Sequence, residues 1–447
     1  MTIFYQAIAK AIDTLCLQLT GLSCNPRHSF PCLLEHSLPL SDAPDLAAWL
    51  AAQELFPKFF WCCRKSNTQI AALGTAEAYH NQQARNQLDA GLVAQTGLRY
   101  YWLSGFDSLE QSNDTDTSAY PQQLLFLPEI ALSLDRHQLS LSVTLNATSD
   151  LDALARRLRK IQPTRPLTQM PLPTSQRQDS PDFDQWQQAV IDAKHCFNQG
   201  HLQKVVLARQ STFQCPQAVD YWSLFKRWQI ASINSYQIGY QIAADKGFMS
   251  FTPERLFLRD KLWLTTEAVA GTLPRSNDSA QAGEQAEALY HDSKTRHEHD
   301  LVVVEIGAKL KGLGVQISQG EGTQLLPLSG LQHLQQQIQG QLPHADMDAQ
   351  LLSTLHPTAA VGGLPAERAR RFIRDKEPFQ RGLYAGSCGY ISSARSELAV
   401  TIRSAYIDQQ QLHLHAGAGI VPQSDPELEW QELEQKIALP LSLLQQS

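Results

Sequence analysis

The sequence predicts an α+β protein: a large layered fold in which antiparallel β-sheets pack together and are flanked by helices. Two observations carry this reading. Short β-branched or aromatic runs follow one another without an intervening helix, at 235–242, 247–251, 255–258 and 262–265, and again at 383–392, 397–406 and 411–416. Helical patterns stand apart from them, at 183–198 and 280–312, the second with Leu301-Val302-Val303-Val304 in its interior. Strands in runs and helices in blocks indicate α+β layers, not a regular βαβ alternation.

Taken in chain order, helices are expected around 3–18 and 41–54, with short strands at Phe59-Phe60-Trp61 and from Leu139 through Leu141 to Val143. No nucleotide-binding glycine signature, catalytic-triad order or repeat occurs there, so residues 1–165 read as scaffold belonging to the same sheet system. A stretch at 161–182 carries Pro163, Pro166, Pro171, Pro173 and Pro181 with no apolar period, and it sets the first part off from 183–447. Lys204-Val205-Val206-Leu207-Ala208-Arg209 suits a strand. Near the end, Gly417-Ala418-Gly419-Ile420-Val421 reads as a glycine turn feeding an acidic helix. Ser424 and Glu427 have capping-box spacing there, and Pro426 fits the first turn.

The 447 residues suffice for a large core, in one big domain or two. Net charge is −7, without the basic excess that nucleic acid or anionic membrane attracts. No apolar run approaches the ~18 residues of a membrane span, and the start lacks the pattern of a signal peptide. The eight cysteines (16, 24, 32, 62, 63, 196, 215 and 388) form no C-x-x-C pair and suit free thiols in a reducing cytoplasm.

Several segments are candidates for chemistry. Lys204 opens its strand beside an apolar run, either as a desolvated base or as an edge lysine facing water. Pro253 stiffens a loop that aims Glu254 into a cavity, or else Glu254 pairs with Arg255. Thr266–Thr272 ends a strand in a Gly271-Thr272 turn whose N–H groups and hydroxyl suit a carboxylate. Lys294 and Glu298 lie one helical turn apart. His297-Glu298-His299 invites a zinc reading, but neighbours on a helix point about 100° apart and H-E-x-x-H spacing is missing. Glu298 fits oxygen-seeking Mg²⁺ better. The small-residue loop from His356 to Pro365 permits close ligand approach. Tyr384 and Arg403 sit in neighbouring strand patterns, Arg403 either paired in the core or forked onto a carboxylate. Glu429, Glu432 and Lys436 share one helical face, as a solvated ion pair or a metal-assisted anion site.

Together these segments resemble the chorismate-utilising family: isochorismate, salicylate, anthranilate and aminodeoxychorismate synthases. The matching pieces are KVVLAR, TPERL, TEAVAGT, KTRHEHDLVV, HPTAAVGGLP, YAGSCGY, TIRSA, GAGIV and EWQELEQK, in the family's order across 183–440. Residues 38–43 and 49–61 also resemble the family's menaquinone-pathway branch. Water-adding members carry lysine at the start of the KVVLAR strand, where ammonia-adding members have glutamine; here it is Lys204. Aminodeoxychorismate synthases place a lysine just before the Gly-Thr turn; here it is Ala270. Thr252 and Gly362-Gly363 are small departures that remove no reacting group.

The resemblance implies an isochorismate synthase, Mg²⁺-dependent, reversible, without a glutaminase partner, and feeding menaquinone synthesis. It implies Lys204 as general base, Glu254 as general acid and Glu298 and Glu432 as metal ligands. Gly271, Thr272, Gly419 and Lys436 would grip the ring carboxylate, Tyr384 and Arg403 the enolpyruvyl carboxylate, with His356 also at the substrate. Glu429 would act through water or through a neighbouring ligand. Alternatives are a salicylate synthase, a siderophore-pathway isochorismate synthase, a catalytically silent chorismate-binding subunit and, farthest off, a zinc hydrolase.

Overall fold

The computed structural model describes residues 2–23, 31–39, 44–66, 68–107, 120–135, 138–167, 176–275, 287, 290–318, 320 and 322–445. Its frame is two antiparallel sheets, one of twelve strands and one of ten. In the larger sheet Lys58–Cys62 pairs with Tyr236–Ala243, joining five strands from the first 145 residues to those of the remainder. In the smaller sheet Tyr100–Ser104 pairs with Ser387–Ile391 in the same way.

The period-2 alternation of strands explains how the sheets stack. Phe59 and Trp61 project from Lys58–Cys62 toward the smaller sheet. Phe59 meets Tyr101 at 5.1 Å and Phe126 edge-on at 5.4 Å between ring centroids. Phe60 points the other way, onto Phe225 of the helix Tyr221–Ala231 at 5.0 Å. An aromatic layer thus cements sheet to sheet, and helices cover the outer face. Fully burying a side chain of this size contributes roughly 1.5–3 kcal/mol.

Most expected elements are present, with instructive differences. The helix Phe183–Asn198 starts on a capping box made by Asp182 and Gln185. The helix expected at 41–54 is Leu46–Ala52, and 41–43 lie outside the described residues. The described long helix is Ser293–Gly312, capped by Asp292; most of 280–289 lies outside the described residues. The proline-rich stretch ends in a strand, Gln176–Ser180, that pairs with Lys204–Gln214. A polar five-residue edge strand leaves no apolar pattern to read.

Three expectations are corrected. Gly417–Ile420 is no turn: it completes the strand Gln411–Ile420, with Gly417 opposite Ala208 and Gly419 opposite Val206. Gly271 and Thr272 likewise lie within the strand Trp263–Pro274, at a bulge where Gly271 has φ +73°. The last helix, Pro426–Gln445, takes its cap from Asp425, whose side chain accepts from the N–H groups of Glu427 and Leu428. Ser424 instead accepts from Val421 N–H.

Candidate active site

The chain passes between the sheets twice at one place, and each crossing carries a candidate residue. Lys246–Thr252 belongs to the larger sheet and Arg255–Asp260 to the smaller, so Pro253-Glu254 is the first crossing. Arg395–Val400 and Ser404–Asp408 are split likewise, which puts Arg403 in the second crossing, not within a strand as expected. Arg403 holds φ +51°, a left-handed conformation costly for a residue with a Cβ. The crossings brace each other: Val400 N–H donates to the Glu254 carbonyl and Phe251 N–H to that of Arg403, both at 3.0 Å.

A cavity, open at its mouth, lies against both crossings. Glu254, Arg403 and Tyr384 line it, with Gly271 and Thr272 on the bulge. Glu298 enters from the helix Ser293–Gly312, Gly417 and Gly419 from their strand, and Glu432 and Lys436 from the last helix. Residues from seven separate segments of the sequence therefore meet at one opening.

Lys204 is wholly buried, because its strand lies between Gln411–Ile420 and the short strand Gly363–Leu364. The edge-lysine reading fails for that reason. Its Nζ stands 3.0 Å from Glu298 Oε1. A Cβ on Gly419 would fall 2.0 Å from that carboxylate oxygen and 3.2 Å from Lys204 Cε, so only glycine leaves room for the pair.

Among the described residues Glu254 pairs with no arginine; Arg255 turns to Glu397 and Tyr236. Burial, then the neighbouring Glu267 charge, pushes the Glu254 carboxyl up to about 8, against the pull of Thr358, Lys204 and Lys436. It holds its proton at neutral pH, as a general acid requires. Burial lowers Arg403 to about 10, which leaves it a cation. Burial opposes ionisation of Glu432, but the Lys436 ammonium 2.5 Å away outweighs it and holds the carboxyl below its usual value. Lys436 also donates to the Gly417 carbonyl at 2.8 Å.

Glu429 is buried and raised by burial and by Glu432, and it forms an ion pair with Lys294 outside the cavity lining. His356 is not brought to this cavity: its Nε2 meets the Ala385 carbonyl at 3.0 Å and its ring borders a separate, smaller hollow. Burial lowers it to about 4, so it is neutral. His297 is exposed and His299 buried, on different sides of their helix, which removes the zinc reading. Among the described residues no group of three His, Cys, Asp or Glu side chains is gathered tightly enough to hold a metal alone.

Two cavity residues escaped the sequence reading. His333 Nε2 lies 3.0 Å from Arg403 Nη2, and its Nδ1 lies 2.9 Å from the Gly271 carbonyl. Burial lowers it to about 3; a neutral ring with hydrogen on Nδ1 donates to that carbonyl and accepts from the guanidinium. His415 stacks on Tyr384 with ring centroids 5.1 Å apart. His333 sits in a glutamine-rich strand that reads as solvent-facing, and nothing in the sequence signals its burial. The alternation Leu412-His413-Leu414-His415 did signal that both histidines share a face.

The donor set fits a hard divalent cation. Glu298 and Glu432 supply carboxylate oxygens on one cavity, each in contact with a lysine, and Mg²⁺ is commonly held by one or two carboxylates plus substrate and water.

The chorismate binding enzyme family matches residues 26–445 of the chain. Isochorismate synthase MenF of Escherichia coli is 34% identical over 417 residues, 92% of this chain and 94% of that protein. MenF of Haemophilus influenzae is 32% identical over 90% of each. The solved structure of the menaquinone-specific isochorismate synthase MenF from E. coli superposes with a TM-score of 0.86 at 33% identity, covering 98% of this chain and all of that one. The chain belongs to the chorismate-binding enzymes. Within them its similarity runs full length to the menaquinone-specific isochorismate synthases.

Proposed function

We infer that this protein is an isochorismate synthase that converts chorismate reversibly to isochorismate for menaquinone synthesis. The observation that carries the chemistry is a proton-holding, buried Glu254 on the same cavity as Glu298, whose carboxylate meets the buried Lys204 just behind the lining.

In the proposed reaction Lys204 takes a proton from water as its oxygen bonds to ring C2. The ring double bonds shift, and the C4 hydroxyl departs as water with the proton supplied by Glu254. Each proton transfer contributes typically ~10²- to 10⁴-fold. Arg403, held by His333, and Tyr384 would bind the enolpyruvyl carboxylate, the guanidinium as a two-pronged donor. Lys436, Thr272 and the backbone at Gly271 and Gly419 would face the ring carboxylate. Mg²⁺ held by Glu298 and Glu432 would neutralise and orient that carboxylate. Glu429 acts at one remove, by setting Lys294 and the charge on Glu432. His356 supports the loop behind the cavity instead of touching substrate. Water as nucleophile removes the need for a glutaminase partner. We place the enzyme in the cytoplasm, consistent with cysteines that are free among the described residues and with no described helix long and apolar enough to cross a membrane.

The test is to incubate the pure protein with chorismate and Mg²⁺, without ammonia or glutamine, and to resolve the products by chromatography. Isochorismate at a fixed ratio to chorismate, reached from either side, is the expected result. Salicylate with pyruvate would reassign the protein to the lyase branch, and no product would mean a silent binding subunit.

A further inference from the structure

Behind Glu254, away from the cavity, lies an ion pair that the reaction does not use. Arg64, in the loop after the strand Lys58–Cys62, forms a two-pronged bridge to Glu267. Its Nη1 lies 2.7 Å from Oε1 and its Nη2 2.7 Å from Oε2, and both side chains are 1% exposed. The same two residues grip the backbone around Glu254. Arg64 Nη1 also donates to the Pro253 carbonyl, and Glu267 Oε1 accepts from the Arg255 N–H at 2.8 Å. The peptide groups on either side of Glu254 are thus held by the two ends of one salt bridge.

The remaining backbone groups of Glu254 are also engaged, its N–H with the Thr252 hydroxyl at 3.2 Å and its carbonyl with Val400 N–H at 3.0 Å. Its carboxyl, in contrast, has a single hydrogen bond among the described residues, from the Thr358 hydroxyl at 3.3 Å. The backbone clamp, more than side-chain bonding, decides where this carboxyl points.

We propose that Arg64 and Glu267 are positioning residues for the acid–base step: the buried pair clamps the crossing between the sheets and so aims Glu254 at the departing hydroxyl. This rests on the reading of Glu254 as the general acid. It gives the N-terminal part of the chain a share in catalysis, since Arg64 is its contribution. A buried pair costs desolvation and is weak evidence of stabilisation; a positional duty explains its presence at the loop that carries the proposed acid. The pair acts electrically as well. Glu254 is faced by Glu267, Lys204, Lys436, Tyr384 and the Thr358 hydroxyl, with the Arg64 guanidinium behind. Glu267 is the like charge that acts on Glu254, and Arg64 is its counter-charge.

The test uses the full-length enzyme and chorismate with Mg²⁺. Arg64→Lys and Arg64→Gln should lower kcat at least ~10-fold, toward the ~10²-fold that a misplacement of about 1 Å can cost, with KM within about threefold. Arg64→Lys, which keeps the charge, should recover part of the loss. The two singles that break the pair from opposite sides should move the alkaline limb of kcat in opposite directions. Arg64→Gln leaves Glu267 uncompensated and moves it up; Glu267→Gln leaves Arg64 uncompensated and moves it down. If either single fails to fold, the double variant R64M/E267M replaces the pair by apolar side chains, which buried pairs often tolerate, and should show the same kcat loss. Wild-type kcat and pH profile in the double variant, or limbs that move together in the singles, would overturn the proposal. Glu254→Gln serves as control. If it retains turnover the reading of Glu254 fails; if it is inactive while the clamp variants are normal, the clamp alone fails.

Discussion

Lys204 Nζ and Glu298 Oε1 meet at 3.0 Å directly under Gly419, where a methyl group would fall 2.0 Å from that same oxygen. The proposed base, the proposed metal ligand and the glycine are therefore one packed unit drawn from three elements. The glycine is needed for clearance, since its partners are a carboxylate and a buried lysine stem that are themselves confined.

Gly419→Ala should consequently act on both functions at once. The added Cβ must displace Glu298, so the Mg²⁺ titration should shift to higher concentration and kcat should fall ~10²-fold or more. Isochorismate formation against Mg²⁺ concentration checks this; a variant with unaltered titration and turnover would mean that the wall yields.

Lys204→Ala removes the proposed base and the 3.0 Å contact it makes with Glu298. It should fold, bind chorismate in equilibrium dialysis, and lose ~10²- to 10⁴-fold in kcat. Near-normal turnover would remove Lys204 from the mechanism.

Glu254 predicts two opposite pH effects from one raised carboxyl. Turnover needs the protonated form, so kcat should fall as pH rises through about 8. Folding shows the mirror image. The folded state holds this proton where the unfolded chain has lost it, so the group's contribution to stability is present below about 4.5 and lost as pH rises to about 8. Glu254→Gln should therefore unfold at a higher temperature than the wild type at pH 8, with the gap closing toward pH 5, while turnover is lost. A melting series across that range decides it.

What the sequence disclosed and what it hid follow one physical division. Hydrophobic period and contiguous motifs made the strands and most of the cavity legible, because those signals are local. Register and backbone conformation were not legible. Gly417–Ile420 and Gly271 look like turns, and become strand and bulge only when partners such as Val206, and Leu334 and His333 on either side of the bulge, are known. His356, in a small-residue loop, was expected at the substrate, but its ring is drawn to the Ala385 carbonyl on the far side of the loop. His333 and Arg64 gave no signal, since burial in a polar-looking strand and a contact across 203 residues of chain have no local pattern.

Glu432 decides whether the metal reading is right. Its carboxylate is held ionised by Lys436, although burial opposes this, and an ionised oxygen on the cavity that Glu298 also lines is what a divalent cation requires. Glu432→Ala should abolish activation by Mg²⁺ at millimolar concentration or shift it at least ~10-fold. It should also free Lys436 to move off the Gly417 carbonyl, raising KM for chorismate as that ammonium leaves its place. Mg²⁺ binding measured calorimetrically on the protein with chorismate separates the two effects: weakened metal binding supports Glu432 as a ligand. An unchanged titration would pass that role to Glu429, whose carboxylate is one helical turn away and now occupied by Lys294.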